Sequence, residues 1–377
     1  MKLVVLIPAL DEEATIAEVI AAIPRHLEGV DEREVLVIDD GSRDRTAEQA
    51  VAAGASVVSH GTNLGVGAAF HTGLDEALRR GADVLVTLDA DGQFDPRHIP
   101  ALIAPILERR AGMVTASRFL DPSLLPRMPA SKRWGNRGMA WLISFLVGRR
   151  FRDVSCGYRA YSREAALQLN LFGHFTYTQE TFLDLTAKRI PILEVPLRIR
   201  GERAVGESRV ASNLTRYALM TTRIIGRFIL DFRPLQVIGA IAAVFLLPGL
   251  VMLAGLVAHY LRTGTFTPYK AVGFAGGLLV SLGVVVLVSA LVADMLLRVR
   301  LNQERILLLL KRQRVGPGFG DAELGARGLG DTATLAAGLA ETAGAATAPA
   351  ETAPRVAPAS VRGASPPRSS APAPPAR

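Results

Sequence analysis

Asp89 and Asp91 are the residues of this chain whose types and spacing point most directly to chemistry. They sit in VLVTLDADGQFDP, residues 84–96, where a short apolar run with β-branched Val84, Val86 and Thr87 gives way to a turn at Gly92. Two carboxylates just beyond the carboxyl end of a strand suit a hard divalent cation that keeps open positions for phosphate oxygens. The spacing alone fits a solvated acidic turn as well. Asp11, Asp39 and Asn63 also fall just past predicted strand ends. In open α/β sheets ligands gather beyond those ends. That convergence is the ground for reading an active site here.

Positioning such a site takes a layered α/β domain. Short apolar runs at 3–7, 34–38, 55–58, 84–88, 113–116 and 192–199 read as strands. Segments near 13–27, 45–53, 66–80, 97–109 and 178–188 read as helices. In the first of these, Ile16, Val19, Ile20 and Ile23 share one face behind a capping Asp11. The alternation predicts a Rossmann-like α/β domain with a mostly parallel sheet over 1–210. Residues 134–147 read as a further helix with Trp134, Trp141 and Phe145 near one side. Two readings are open for it, core packing or a surface that touches lipid.

The 377-residue chain is 49% hydrophobic, has one cysteine, Cys156, and carries a net charge of +8. A lone cysteine excludes an internal disulfide framework and fits a reducing compartment. The positive charge is clustered, with eight Arg against three acids over 198–233 and six Lys or Arg against one acid over 298–314. Both clusters flank long apolar runs, which favours anionic lipid headgroups over nucleic acid as the partner. Over 211–233, Arg216, Arg223 and Arg227 fall within ~40° of each other on a helix, with apolar residues opposite. That is the pattern of a juxtamembrane interfacial helix. Residues 234–298 hold two apolar stretches, about 235–261 and 271–297, each longer than the ~20 residues that span a bilayer. Positive-inside bias puts the catalytic domain and the tail in the cytoplasm of a multi-pass cell-membrane protein. A separate basic cytoplasmic helix is expected over 299–315. Residues 316–377, rich in Ala, Pro, Gly and Thr, read as disordered.

Taken together, VVLIPALDEEATI, VLVIDDGSRDRT, NLGVGAAFHTG, VTLDADGQFDP, ASRF, DVSCGYRAYSRE and GESRV resemble family-2 glycosyltransferases of GT-A fold. Among these they are most similar to the dolichyl-phosphate mannose synthase branch and its bacterial polyprenyl-phosphate relatives. The resemblance runs in order over residues 2–210. It implies inverting transfer of one sugar from a nucleotide-sugar, GDP-mannose or a UDP-hexose, to dolichyl or undecaprenyl phosphate. It also implies Mg2+ or Mn2+ as cofactor and assembly as a homo-oligomer. Carried over motif by motif, Pro8, Ala9, Asp11 and Glu12 line the nucleotide pocket, with Asp11 where the family usually has Asn. Asp39 binds base or ribose. Asp89 and Asp91, flanking Ala90, hold metal and diphosphate, with Gln93 as a further ligand. Arg118, Arg203, Ser208 and Arg209 face phosphate or sugar, the family more often having Lys at the last position. Lys132, Arg133 and Arg137 are expected either to attract the acceptor phosphate or to lie on a solvated loop.

The chemistry accounts for these residue types. A metal and Arg groups aimed at the leaving nucleoside diphosphate stabilise the transition state more than the ground state. A polyprenyl phosphate oxygen is ionised at neutral pH, so a strong base is less necessary than for a sugar hydroxyl. Asp153 and Glu180 are the acidic candidates. Asp153 matches the family's active-site acid or else orients an Arg, and Glu180 fits a solvated helix face. Cys156 reads as a small buried residue. A processive polysaccharide synthase would carry Q-x-x-R-W, and Arg133-Trp134 lacks the Gln three residues before the Arg. A non-catalytic nucleotide-sugar-binding membrane protein is the remaining alternative.

Overall fold

The structure, a computed structural model, describes residues 1–126, 128–171, 177–200, 226 and 234–316. The expected phosphate-facing residues Arg203, Ser208 and Arg209, the interfacial helix over 211–233 and the tail past 316 lie outside the described residues.

Seven strands form one sheet: β1 Lys2–Ala9, β2 Glu32–Asp39, β3 Ser56–Ser59, β4 Val84–Thr87, β5 Met113–Ser117, β6 Arg159–Ser162 and β7 Ile192–Pro196. Their order is β3-β2-β1-β4-β6-β5-β7. Neighbours run parallel except at β6, which is antiparallel to both β4 and β5. Seven helices accompany the sheet: α1 Ile16–Ala21, α2 Thr46–Ala52, α3 Val66–Arg79, α4 Ile99–Leu107, α5 Ala130–Val147, α6 Arg163–Gln168 and α7 Thr178–Ala187. Successive side chains of a strand point to opposite faces. Leu3, Val5 and Ile7 therefore join one core layer with Ile16, Ile20 and Ile103. Val4 and Leu6 join the other with Phe70, Leu74 and Phe182. Burial on both faces is why these strands read as continuous apolar runs.

Periodicity does not predict β6 or α6. Each is short, at four and six residues, and the buried Arg159 breaks the apolar pattern of β6. The strand has a positional consequence. Because it runs against its neighbours, β6 begins at the edge where they end. The loop before it, residues 153–158, thus opens on the same edge as Ala9, Asp39, Asp89 and Arg118. The strand order reverses between β1 and β4, and such a switch point leaves a crevice at that edge.

Two long helices follow, α8 Pro234–Thr263 and α9 Lys270–Val315, each long and apolar enough to cross a membrane. They pack through small residues. A Cβ on Gly249 would lie 2.9 Å from the Gly276 carbonyl oxygen, and Ala242 and Ala290 are fully buried. Small residues let helix backbones approach without a hydrophobic driving force. The outer faces expose Leu261, Phe274 and Met295. Each such side chain left in water forgoes ~1.5–3 kcal/mol of burial, so a surface built of them suits lipid. The separate helix expected over 299–315 is not observed. α9 runs unbroken through the second apolar span and the basic stretch. No Gly or Pro interrupts residues 284–315, and Gly316, at φ 74, follows its last turn.

Candidate active site

Loops from several strands meet at the carboxyl edge, and backbone hydrogen bonds tie them together. The Asp11 amide donates to Ser42 Oγ at 3.0 Å, and the Arg43 amide donates back to Asp11 Oδ1 at 2.8 Å. The Glu12 amide donates to Thr46 Oγ1 at 2.7 Å. Asp11 has φ 48, a left-handed conformation that Asp and Asn tolerate. Its carboxylate accepts an N–H just as an Asn amide oxygen could. Pro8 and Ala9 close β1 beside Ile38 and Asp39 of β2. Asp39 is buried, its Oδ1 accepting from the Ser42 amide at 3.0 Å and its Oδ2 from the Ser59 hydroxyl at 2.7 Å. Gly41 admits the next loop. A Cβ there would meet the Thr62 backbone at 2.5 Å, and its φ is +79.

Asp40 was not singled out by the sequence, because one carboxylate of an adjacent pair looks much like the other. Its oxygens accept from the Leu64 and Gly65 amides at 3.0 and 2.8 Å. His60 lies between Asp40 Oδ1, at 2.8 Å from Nδ1, and Thr72 Oγ1, at 2.9 Å from Nε2. Asp40 therefore shapes the NLGVG loop, and His60 braces it.

At the end of β4, Asp91 is buried and its Oδ1 accepts from the Gln93 amide at 3.0 Å, a turn that Gly92 completes with φ 71. The Gln93 carbonyl accepts from the Arg200 amide at 3.1 Å, which brings the segment after β7 alongside. Gly157 leaves room for Asp89. A Cβ on it would lie 3.5 Å from both Asp89 carboxylate oxygens and 3.4 Å from the Tyr177 hydroxyl. Tyr177, another residue with no sequence signal, is buried and stacks on Phe70 with ring centroids 4.0 Å apart. Burial, helped by the charge of Asp89, pushes its phenol well above the usual range, so it stays protonated.

Arg118 follows β5. Its Nε and Nη2 donate to Asp153 Oδ2 and Oδ1 at 2.7 and 2.8 Å, and its amide donates to Oδ2 at 3.1 Å. The Ser155 amide donates to Oδ1 at 3.2 Å, so both Asp153 oxygens are engaged. The loop is held from behind. Glu194 accepts from the Arg152 and Asp153 amides at 2.9 and 2.8 Å, and burial pushes its carboxyl upward. Buried Arg159 donates to the carbonyls of Cys156 and Val154 at 2.7 and 3.1 Å. Burial pushes the Cys156 thiol up to about 12.

On α5, Lys132 and Arg137 are exposed and Arg133 is half-buried. Arg133 Nε and Asn136 Nδ2 are buried and find no acceptor among the described residues. Trp134, Trp141 and Phe145 are each more than two-thirds exposed, which excludes the core-packing reading. Glu180 lies in the first turn of α7, half-buried.

Asp89, Asp91 and Gln93 offer only oxygen-rich, hard donors, the set that Mg2+ or Mn2+ takes. No group of three or more His, Cys, Asp or Glu capable of holding a metal occurs among the described residues. The protein thus supplies part of a coordination sphere and leaves the rest to ligand oxygens, as a metal that bridges a diphosphate requires.

This mostly parallel sheet, with its acidic loops along one edge, is the GT-A-like architecture of glycosyltransferases. Residues 4–169 match the family described as Glycosyl transferase family 2. An uncharacterized protein of Methanocaldococcus jannaschii is 33% identical, over 52% of this chain and 79% of its own. UDP-N-acetylglucosamine–dolichyl-phosphate N-acetylglucosaminyltransferase of Methanococcus voltae is 30% identical, over 51% of this chain and 83% of its own. Undecaprenyl-phosphate mannosyltransferase of Micrococcus luteus is 29% identical, over 58% and 92%. The chain belongs to glycosyltransferase family 2.

Proposed function

We propose that this protein transfers one sugar from a nucleotide-sugar to a polyprenyl phosphate at the cytoplasmic face of a membrane, by inverting displacement. The observation that carries the reading is the joining, in one chain, of a glycosyltransferase site to two helices of membrane-spanning length. A catalyst held at a bilayer meets lipid acceptors there. Two relatives are named for acceptors of this class, dolichyl phosphate and undecaprenyl phosphate.

In this reading Pro8, Ala9, Asp11 and Glu12 wall the nucleotide and Asp39 receives a ribose or base donor group. Asp89, Asp91 and Gln93 hold Mg2+ or Mn2+, which when bound neutralises charge on the leaving diphosphate. Arg118, kept in place by Asp153, aims positive charge at the same group, and Arg203, Ser208 and Arg209 belong to that side. Asp153 serves as the orienting partner rather than a base, because Arg118 and backbone amides occupy both its oxygens. On α5, a buried donor left unpaired costs ~1–3 kcal/mol. An acceptor phosphate would satisfy both Arg133 Nε and Asn136 Nδ2, with Lys132 and Arg137 adding charge. The exposed Trp134, Trp141 and Phe145 suit the bilayer interface, where Trp is favoured.

The test incubates the purified full chain with radiolabelled nucleotide-sugars, polyprenyl phosphate and Mn2+, then extracts into organic solvent. A single labelled lipid is expected. An insoluble polymer would point to a processive synthase, and no product with any donor would point to a binding protein. Asp91→Ala is expected to abolish transfer, and full activity in that variant would remove the metal assignment.

A further inference from the structure

The cytoplasmic end of α9 is sided. Leu301, Glu304, Leu308, Lys311 and Val315 fall within ~80° of one another around the helix. They are less exposed than the residues between them. Leu308 and Val315 pack against the core layer that contains Phe182 and Leu185 of α7. Lys311 Nζ donates to the Leu169 carbonyl at 2.9 Å, to Asn170 Oδ1 at 3.0 Å and to the Leu167 carbonyl at 3.4 Å, at the C-terminus of α6. Arg163, the first residue of α6, returns the contact. Its Nη2 donates to the Gly316 carbonyl at 2.6 Å and the Val315 carbonyl at 3.4 Å, at the C-terminus of α9. The last carbonyls of a helix have no partner within it, and cations are favoured there. Each helix thus caps the other with a cation.

Two ion pairs flank the caps. Lys188 Nζ lies 3.3 Å from Glu304 and 2.8 Å from Asp184, and Arg312 lies 2.6 Å from Glu164. A partly exposed pair such as Arg312–Glu164 contributes only ~0–1 kcal/mol. The desolvated ammonium is the discriminating element, because burying it costs several kcal/mol unless its donors are matched. Burial pushes the Lys311 pKa down, and three acceptors meet its three N–H groups. The grip bears on catalysis through α7. Tyr177, the residue that opens that helix, lies beside Asp89 of the acidic turn.

We propose that the cytoplasmic half of α9 is a docking strut, and that Lys311 is its positioning residue. It holds the glycosyltransferase domain at a fixed attitude to the membrane, so that a lipid phosphate meets the site. The lipid arm of the test rests on the function proposed above, and the dock itself does not.

The full chain in lipid nanodiscs is spin-labelled at Arg79→Cys on α3 and Arg305→Cys on α9, with the buried Cys156 left unlabelled. Pulsed EPR is expected to give one narrow distance, broadened by Lys311→Met and restored by Lys311→Arg. In the unlabelled protein, Lys311→Met is expected to lower kcat/KM at least about tenfold with bilayer-embedded polyprenyl phosphate. With a water-soluble short-chain prenyl phosphate it should leave kcat/KM within about twofold. A broad distance in the otherwise wild-type pair, or Lys311→Met leaving both readouts unchanged, overturns the proposal. So does an equal loss with both acceptors accompanied by a lowered melting midpoint, which marks a merely structural lysine. A narrow distance that Lys311→Met broadens, in a protein that makes no product with either acceptor, supports the dock and overturns the acceptor reading instead.

Discussion

Arg118 lies against the Asp153 carboxylate with two side-chain hydrogen bonds, and Asp153 is fully buried. Breaking a buried pair strands the remaining charge and is far costlier than losing a surface pair. Asp153→Asn is therefore expected to lower kcat by ~10²–10³, the size of effect seen when a group aimed at developing charge is removed. Because Asp153 orients rather than abstracts a proton, the shape of the pH–rate profile should not change. Loss of an acidic limb in the variant would instead make it the base. Cys156 gives a second residue-scale prediction. Thiolate is the reactive form, and burial holds this thiol near 12. Maleimide should leave the native protein unmodified and label it stoichiometrically once unfolded, as read by intact-mass spectrometry. The sequence was informative on such residues where chemistry is intrinsic to type, as for Asp89, Asp91 and Arg118. It did not distinguish Asp40 from Asp39, or the buried Tyr177 from other aromatics. Their roles come from what faces them, and those partners are distant in the chain.

At the scale of elements, β2 is strapped to its surroundings by Glu34. The carboxylate bridges Lys2 at the start of β1 and Arg80 after α3, and accepts from the Ser56 hydroxyl of β3. Burial works to raise its pKa, but hydrogen bonds from Lys2, Arg80 and Ser56 outweigh it and hold the pKa below the ordinary 4.5. A carboxyl whose folded pKa is depressed contributes stability that is present above its unfolded value and is lost as pH falls through the folded one. Glu34→Gln should thus lower the melting midpoint at neutral pH, by no more than ~1 kcal/mol of stability. The gap to wild type should close on acidification below 4.5. A gap that stays constant with pH would refute the strap. The long, strongly patterned elements were legible, as with β1, α3 and the two apolar helices. β6 and α6 were not, since each is too short to express a period and each is anchored by a buried polar residue, Arg159 or Arg163.

For the whole molecule, the proposed topology puts residues 264–269 on the far side of the membrane from the glycosyltransferase domain. A cysteine introduced at Thr265 should react with an impermeant maleimide on intact cells. One at Gln303 should react only after permeabilisation, and Cys156 stays silent in both because it is buried. The reverse pattern would invert the membrane reading. The same scale decides how α9 is understood. Composition divides it at about residue 298, where apolar residues give way to basic ones. The structure joins the two parts into one helix whose cytoplasmic half rests on α6 and α7.

By itself the sequence determined the residue chemistry of this protein. It held the acidic turn, the arginine after β5, the alternation that makes a mostly parallel sheet, and two stretches long and apolar enough for a bilayer. Such features are local, written in residue type and period. Only the tertiary structure decided which charges meet. The antiparallel course of β6 carries Asp153 to Arg118, Gly157 opens space beside Asp89, and Lys311 finds carbonyls more than a hundred residues away. A hydrogen bond depends on where two chain segments are brought together, and residue order alone does not carry that information.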